Sequence, residues 1–204
     1  MDKNINMDIN VYLSNITNKT IDDIYNDYKE YLNQEDLEKI QRFKQDLNRR
    51  QSLMSIALKK KYVKGEIYYN EYGKPLSKEI YFNISHSDNY VMIALSKDTS
   101  VGVDIEYIKD NVDDNLINHV CNDSEIEYIN KDKSRNFYYI WTRKEAILKC
   151  IGSGITNDLK NINVINNSEY NLDSNYIDNY VYTIVYSKEI KISNINIFKE
   201  KGYE

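Results

Sequence analysis

Apolar residues recur along this chain with two different periods. Ile9, Val11 and Leu13 alternate with polar neighbours, which predicts a strand over residues 8–13. Thr20, with Asp23 three residues on, has the form of a capping box, and Ile24, Tyr28 and Tyr31 follow at helical spacing. Helical patterning continues over residues 35–43 and 46–62. From Glu66 the texture becomes strand-like: E-I-Y-Y-N, a Y-G-K-P turn, E-I-Y-F-N-I-S, Y-V-M-I-A-L-S and V-G-V-D-I-E-Y-I succeed one another at short spacing. Helices are predicted again over residues 113–120, 124–128 and, most strongly, 135–150. Strands follow over 161–165, 180–186 and 191–198. Each half of the chain thus combines helices with hairpin-like strands, which predicts an α+β protein of two similar lobes, residues 1–103 and 104–204.

Composition narrows the possible functions. The 204 residues hold 27 Lys+Arg against 32 Asp+Glu, a net charge of -5, so there is no general basic face for nucleic acid. No apolar run approaches the ~18 residues of a membrane span, and M-D-K-N-I-N-M-D-I-N lacks the apolar segment of a secretory signal. Two cysteines, Cys121 and Cys150, are too few for a disulfide framework or a cysteine zinc site. These features predict a reduced, cytoplasmic protein. No tandem repeat is evident, and with one proline, Pro75, punctuation does not mark a domain boundary.

Four motifs carry candidate chemistry. In V-G-V-D-I-E the period of a strand puts Val101, Val103 and Ile105 on one face and Gly102, Asp104 and Glu106 on the other. Two carboxylates ~7 Å apart on a strand face can converge on a hard cation. Mg²⁺ takes oxygen ligands of this kind together with water and phosphate. The same pattern also suits the solvated side of a half-buried sheet. In W-T-R-K-E-A-I-L-K, Trp141, Glu145 and Lys149 share one helix face, either as a surface ion pair beside a packed Trp or as a metal-binding carboxylate one turn from a cation. N-I-S-H-S offers His86 flanked by Ser85 and Ser87, donors suited to phosphate oxygens, with Lys74 of the Y-G-K-P turn just upstream. In N-R-R-Q-S-L, Arg49, Arg50 and Ser52 are either a phosphate clamp or a solvated helix face.

Taken in order, R-R-x-S-L, Y-G-K-P…F-N-I-S-H-S, V-G-V-D-I-E and W-T-R-K-E-A-x-x-K resemble the 4′-phosphopantetheinyl transferases of the surfactin-synthetase-activating type, over roughly residues 44–165. The resemblance implies a monomer of two lobes related by a pseudo-twofold axis, with coenzyme A and Mg²⁺ in the cleft between them. It implies that Asp104, Glu106 and Glu145 hold the metal, and that His86 and Lys149 contact substrate phosphates. It also implies that Glu145, Lys149 and His86 serve catalysis. Arg49, Arg50, Ser52, Lys74 and Ser85 would contact coenzyme A. Ser55 stands where many members have glycine, and Asn48 where an acidic residue or histidine is common.

The reaction so implied moves the phosphopantetheine arm of coenzyme A to a serine of an apo acyl, peptidyl or polyketide carrier protein and releases 3′,5′-ADP. An apolar stripe of Leu116, Ile117 and Val120 is a candidate carrier-docking surface, or else part of the core. Two other readings remain open. A Mg²⁺-dependent phosphodiesterase or nuclease would use similar carboxylates, against which stands the acidic charge. A non-catalytic carrier-binding module would have no need of the full Asp104, Glu106, Glu145 and Lys149 set.

Overall fold

The computed structural model describes residues 7–154, 159–167 and 169–200. Its elements, in order, are β1 (Asp8–Asn15), α1 (Ile21–Asp27), α2 (Gln34–Ile40), α3 (Asp46–Tyr62), β2 (Ile67–Tyr69), β3 (Pro75–Ser77), β4 (Tyr81–Ser87), β5 (Tyr90–Ser96), β6 (Val101–Tyr107), α4 (Asp114–Val120), α5 (Asp123–Ile129), α6 (Lys133–Ile151), β7 (Tyr170–Ile177), β8 (Tyr180–Ser187) and β9 (Asn194–Lys199). The class is mixed α+β with several sheets.

Local sequence accounts for most of the helix starts. Thr20 and Asp23 form a reciprocal capping box at α1, as the sequence predicts, and Asn33–Asp36 and Asn122–Glu125 do the same at α2 and α5. α3 spans the predicted residues 46–62. Two tail expectations need correction. Residues 161–165 are not a strand: a 3₁₀ turn, Leu159–Asn161, leads into loop. Residues 170–177, whose mixed polarity gave no signal, form β7.

The strands make a four-stranded sheet of order β4-β5-β1-β9, a β2-β3 hairpin and a three-stranded sheet of order β6-β8-β7. Val101, Val103 and Ile105 of β6 pack with Ile9, Val11 and Leu13 of β1, and with Tyr182 and Ile184 of β8, in a core between the two larger sheets. Helices α1–α3 cover the outer face of the first sheet, and α4–α6 that of the second. Helix, sheet, sheet and helix layers follow from this. The continuous apolar run of β5 is explained: Tyr90, Met92 and Ala94 enter the central core, while Val91, Ile93 and Leu95 face α1–α3. Full burial of a Val or Ile side chain contributes about 1.5–3 kcal/mol, so β6 is held firmly by its apolar face.

The chain β1–β5–β4 and the chain β6–β8–β7 pair in the same antiparallel order. Their hairpin turns share the tetrapeptide D-N-Y-V, at residues 88–91 and 178–181. Asp88 and Asp178 both adopt left-handed backbone, φ 44° and 48°. Ile16 N–H donates to the Asn89 carbonyl and Ile108 N–H to the Asn179 carbonyl, each at 2.8 Å. The Tyr180 hydroxyl donates to Asp88 Oδ2 at 2.7 Å and the Tyr90 hydroxyl to Asp178 Oδ2 at 2.6 Å, a reciprocal clasp. This four-residue match, 90 positions apart, is not a tandem repeat and gave no signal in the sequence. β9 closes the chain by pairing parallel with β1.

Candidate active site

The site begins with Gly102. A Cβ there would lie 2.0 Å from the Ala146 carbonyl oxygen and 2.7 Å from the Cys150 nitrogen, so the missing side chain is what lets α6 settle on β6. The polar face of β6 is therefore covered by a helix and is not the solvated side of a sheet. Asp104, next on that face, is 2 % exposed, and Glu145 on α6 is 8 % exposed.

Strand β4 supplies the second wall. Its alternation sends Phe82 and Ile84 toward α3 and turns Asn83, Ser85 and Ser87 toward β6. Asn83 Oδ1 accepts from the Val103 N–H at 2.9 Å, and the Ser87 hydroxyl oxygen accepts from the Tyr107 N–H at 3.1 Å. Ser85 donates to Asp104 Oδ1 at 2.8 Å and Ser87 to Glu106 Oε2 at 2.7 Å. Three side chains at alternate positions thus tie the two sheets together where their apolar core gives out. Sequence reasoning missed Asn83, although its place two residues before Ser85 on a strand puts it on the same face.

Lys149 completes the cluster. Its Nζ donates to Asp104 Oδ1 at 2.6 Å and to Ser85 Oγ at 2.9 Å, two of the three donors an ammonium has. The carboxylates interact strongly. Burial, then the Asp104 charge, pushes Glu145 and Glu106 above the usual glutamate range, with Ser87, Lys149 and Trp141 opposing this at Glu106. Asp104 Oδ2 and Glu145 Oε1 are buried with no protein hydrogen-bond partner. An orphaned buried carboxylate oxygen is costly unless something else meets it. Among the described residues no three His, Cys, Asp or Glu side chains stand in ready metal-ligating geometry. Two orphaned oxygens of hard chemistry nevertheless fit Mg²⁺, which usually takes one or two carboxylates and completes its shell with water and substrate phosphate.

His86 points to the opposite face of β4 from Ser85. Its ring reaches solvent, yet the surrounding protein and the Lys149 charge hold the imidazole below its ordinary value. Lys74 lies on the other side of a cavity of about 280 Å³, which is also lined by Tyr72, Asn83, Glu145 and Lys149. Its ammonium, held below the usual lysine range by burial, donates to the Cys150 carbonyl at 2.9 Å.

The α3 residues are placed apart from this cluster. Arg49 donates to the Phe43 carbonyl at 2.7 Å, while Arg50 pairs with Asp46 and donates to the Ile16 carbonyl at 2.8 Å. Ser52 opens on a separate groove with Lys39, Arg42 and Lys60. Among the described hydrogen bonds none joins these three to Asp104, Glu145 or Lys149. Of the two readings of the Leu116, Ile117 and Val120 stripe, the core one holds for Ile117 and Val120 at 5 % and 2 % exposure, which leaves Leu116, 40 % exposed, on the surface.

Residues 100–195, which contain β6, α6 and the strands beside them, match the family described as the 4′-phosphopantetheinyl transferase superfamily. Over this stretch, just under half of its length, the chain is similar to that superfamily. It is 32% identical over 142 residues to the 4′-phosphopantetheinyl transferase gsp of Aneurinibacillus migulanus, covering 66% of this chain and 53% of that one. It is 35% identical over 111 residues to a putative 4′-phosphopantetheinyl transferase of Haemophilus influenzae, covering 50% of this chain and 47% of that one. Over 92 residues it is 36% identical to the 4′-phosphopantetheinyl transferase AcpT of Escherichia coli K12, covering 41% of this chain and 47% of that one. The chain spans about half the length of these relatives. No helix among the described residues is long and apolar enough to cross a membrane.

Proposed function

We propose that this protein transfers the 4′-phosphopantetheine arm of coenzyme A to a serine of an apo carrier protein, with Mg²⁺ as cofactor and 3′,5′-ADP as the second product. The observation that carries this reading is the pair of orphaned, buried carboxylate oxygens on Asp104 and Glu145, set beside Lys149 in a chain similar to this superfamily. We read the architecture as two lobes, residues 1–103 and 104–204, related by a pseudo-twofold axis, with the active site between them. The matching strand orders and the reciprocal Tyr–Asp clasp support this. The boundary falls inside β6, and β9 returns to the first sheet, so the lobes share chain.

In this reading Asp104 and Glu145, with Glu106 alongside, hold the cation. A cation held by these residues would offset the carboxylate charges and would supply Lewis-acid polarisation of a bound diphosphate. The serine oxygen forms a bond to the phosphorus that carries the pantetheine arm, the P–O bond to 3′,5′-ADP breaks, and the serine proton passes to a base. Lys149 has one donor left for a phosphate oxygen that gains charge as the leaving group departs. His86, biased toward its neutral form, supplies an N–H to phosphate on the far side of β4. Lys74 has two donors beyond the one given to Cys150. Glu145 is first a metal ligand. Its raised affinity for protons stems from burial and neighbouring charge, so a bound cation would weaken it as a base, and proton abstraction is its secondary role. Arg49, Arg50 and Ser52 remain coenzyme A contacts of the outer site, at a distance from the chemistry.

The test is intact-mass measurement of apo acyl and peptidyl carrier proteins incubated with this protein, coenzyme A and Mg²⁺. A gain of one phosphopantetheine arm is expected, and it should be lost in Asp104→Ala. Cleavage of nucleic acid under the same conditions, with no gain on any carrier, would favour the phosphodiesterase reading instead.

A further inference from the structure

The turn joining β2 to β3 is built around one side chain that the motifs do not single out. Asn70 Oδ1 accepts from the Tyr72 N–H at 3.0 Å and from the Lys74 N–H at 2.8 Å. Its main chain exchanges two further bonds with the turn, to the Lys74 carbonyl at 3.1 Å and from the Gly73 N–H at 3.0 Å. Gly73 takes the left-handed φ of 78° that the turn needs. The other end of the same amide leaves the turn altogether: Nδ2 donates to the Gly152 carbonyl at 2.9 Å.

Gly152 ends α6 in left-handed conformation, φ 80°, and its N–H closes on the Leu148 carbonyl at 2.7 Å. The last carbonyls of a helix have no intrahelical donor and carry the negative end of its dipole. Here three donors from distant parts of the chain serve them, Asn70 at Gly152 and both Lys74 and Ser100 at Cys150, so that Asn70 alone meets the Gly152 carbonyl among the described hydrogen bonds. The approach is close: a Cβ on Gly152 would meet Lys74 Cδ at 2.6 Å and Asn70 Nδ2 at 3.4 Å. The helix so held carries Lys149 one turn back and Glu145 two turns back, while the turn itself contributes Tyr72, Gly73 and Lys74 to the cavity facing them.

We propose that Asn70 is a positioning residue for the transfer reaction. Its oxygen shapes one wall of the cleft and its nitrogen holds the Gly152 end of α6, so one amide ties that wall to the helix that carries Glu145 and Lys149. The proposal rests on the transferase reading above. The simpler alternative is a turn-forming asparagine whose contact with α6 is incidental.

Asn70→Asp separates the two, because it keeps the accepting oxygen and removes the donor to Gly152. Asn70→Ala removes both. For Asn70→Asp the expected result is a kcat lower by about tenfold with the coenzyme A KM within about twofold of the parent, since displacing catalytic groups by a fraction of an ångström acts on turnover. Hydrogen–deuterium exchange of the full-length protein should quicken several-fold over residues 145–152 and stay unchanged over 70–77. Asn70→Ala should quicken exchange in both segments and raise KM as well. Unchanged exchange over 145–152 in Asn70→Asp overturns the proposal, as does an unchanged kcat when the parent is active. If the parent modifies no carrier protein, the transferase reading fails, and the exchange measurement still decides whether Asn70 holds α6.

Discussion

Replacing Gly102 with alanine adds one methyl group at the point where strand and helix meet. The new Cβ would stand 2.0 Å from the Ala146 carbonyl oxygen, 2.7 Å from the Cys150 nitrogen and 2.8 Å from Cys150 Cβ. Two of these are backbone atoms of a 19-residue helix and cannot swing aside as a side-chain tip would. Helix α6 must therefore back away from β6 by roughly 1 Å before the contact becomes tolerable. Overpacking of this kind costs about 1–3 kcal/mol. For a chain of this size each kcal/mol lowers Tm by about 2–4 °C, which predicts a loss of about 4–8 °C for a mid-range cost. Function should suffer more. The Lys149–Asp104 bond of 2.6 Å and the placement of Glu145 both depend on the seat that Gly102 provides. A displacement of ~1 Å can reduce turnover by ~100-fold. Calorimetric Tm and carrier modification followed by intact mass, on the same preparation, read both quantities. An alanine variant with parental Tm and parental turnover would refute the claim that this close approach builds the site.

Glu145→Gln should raise stability while abolishing transfer. Burial and Asp104 make the native state hold the Glu145 proton more tightly than the unfolded chain does, so stability falls as pH rises from the unfolded carboxylate range through the raised native value. In metal-free buffer the variant should therefore melt above the parent at pH 7.5, with the gap narrowing on acidification, and a lower Tm throughout would contradict the sign. Lys144→Ala should destabilise strongly, because its pairing with Glu125 is 0% exposed on both sides and Lys144 also donates to the Leu159 and Ile162 carbonyls. Breaking such a pair costs about 3–5 kcal/mol, and denaturant titration showing less than ~1 kcal/mol would disprove it. Leu116→Asp should raise KM for the apo carrier several-fold with Tm unchanged, since Leu116 is the exposed remnant of the predicted stripe; an unchanged KM would remove α4 as a docking element.

The site was more readable in the sequence than the fold that assembles it. Period-two alternation in V-G-V-D-I-E puts Gly102, Asp104 and Glu106 on one face, and period 3.6 aligns Glu145 with Lys149, so each half of the cluster is present in local pattern. That the two halves meet depends on the clearance at Gly102, which no periodicity encodes. β7 escaped notice because N-L-D-S-N-Y lies at a sheet edge, half-buried over Asn171–Ser174 and exposed at Asn175 and Tyr176, with neither face strongly apolar. The D-N-Y-V repeat is four residues long and separated by 90 positions, and its meaning emerges only when Tyr90 and Tyr180 are seen to exchange aspartates. Ile117 and Val120 read equally well as stripe or core, because a helix of seven residues shows too little of its period to orient it.

The most direct measurement is calorimetric titration of coenzyme A, with and without Mg²⁺, into the parent protein and into Asp104→Asn. The account predicts that Mg²⁺ tightens binding to the parent by at least tenfold and that the variant loses this dependence. Equal affinity for coenzyme A with and without Mg²⁺ in the parent would contradict the assignment of the β6 and α6 carboxylates to a shared cation beside the diphosphate.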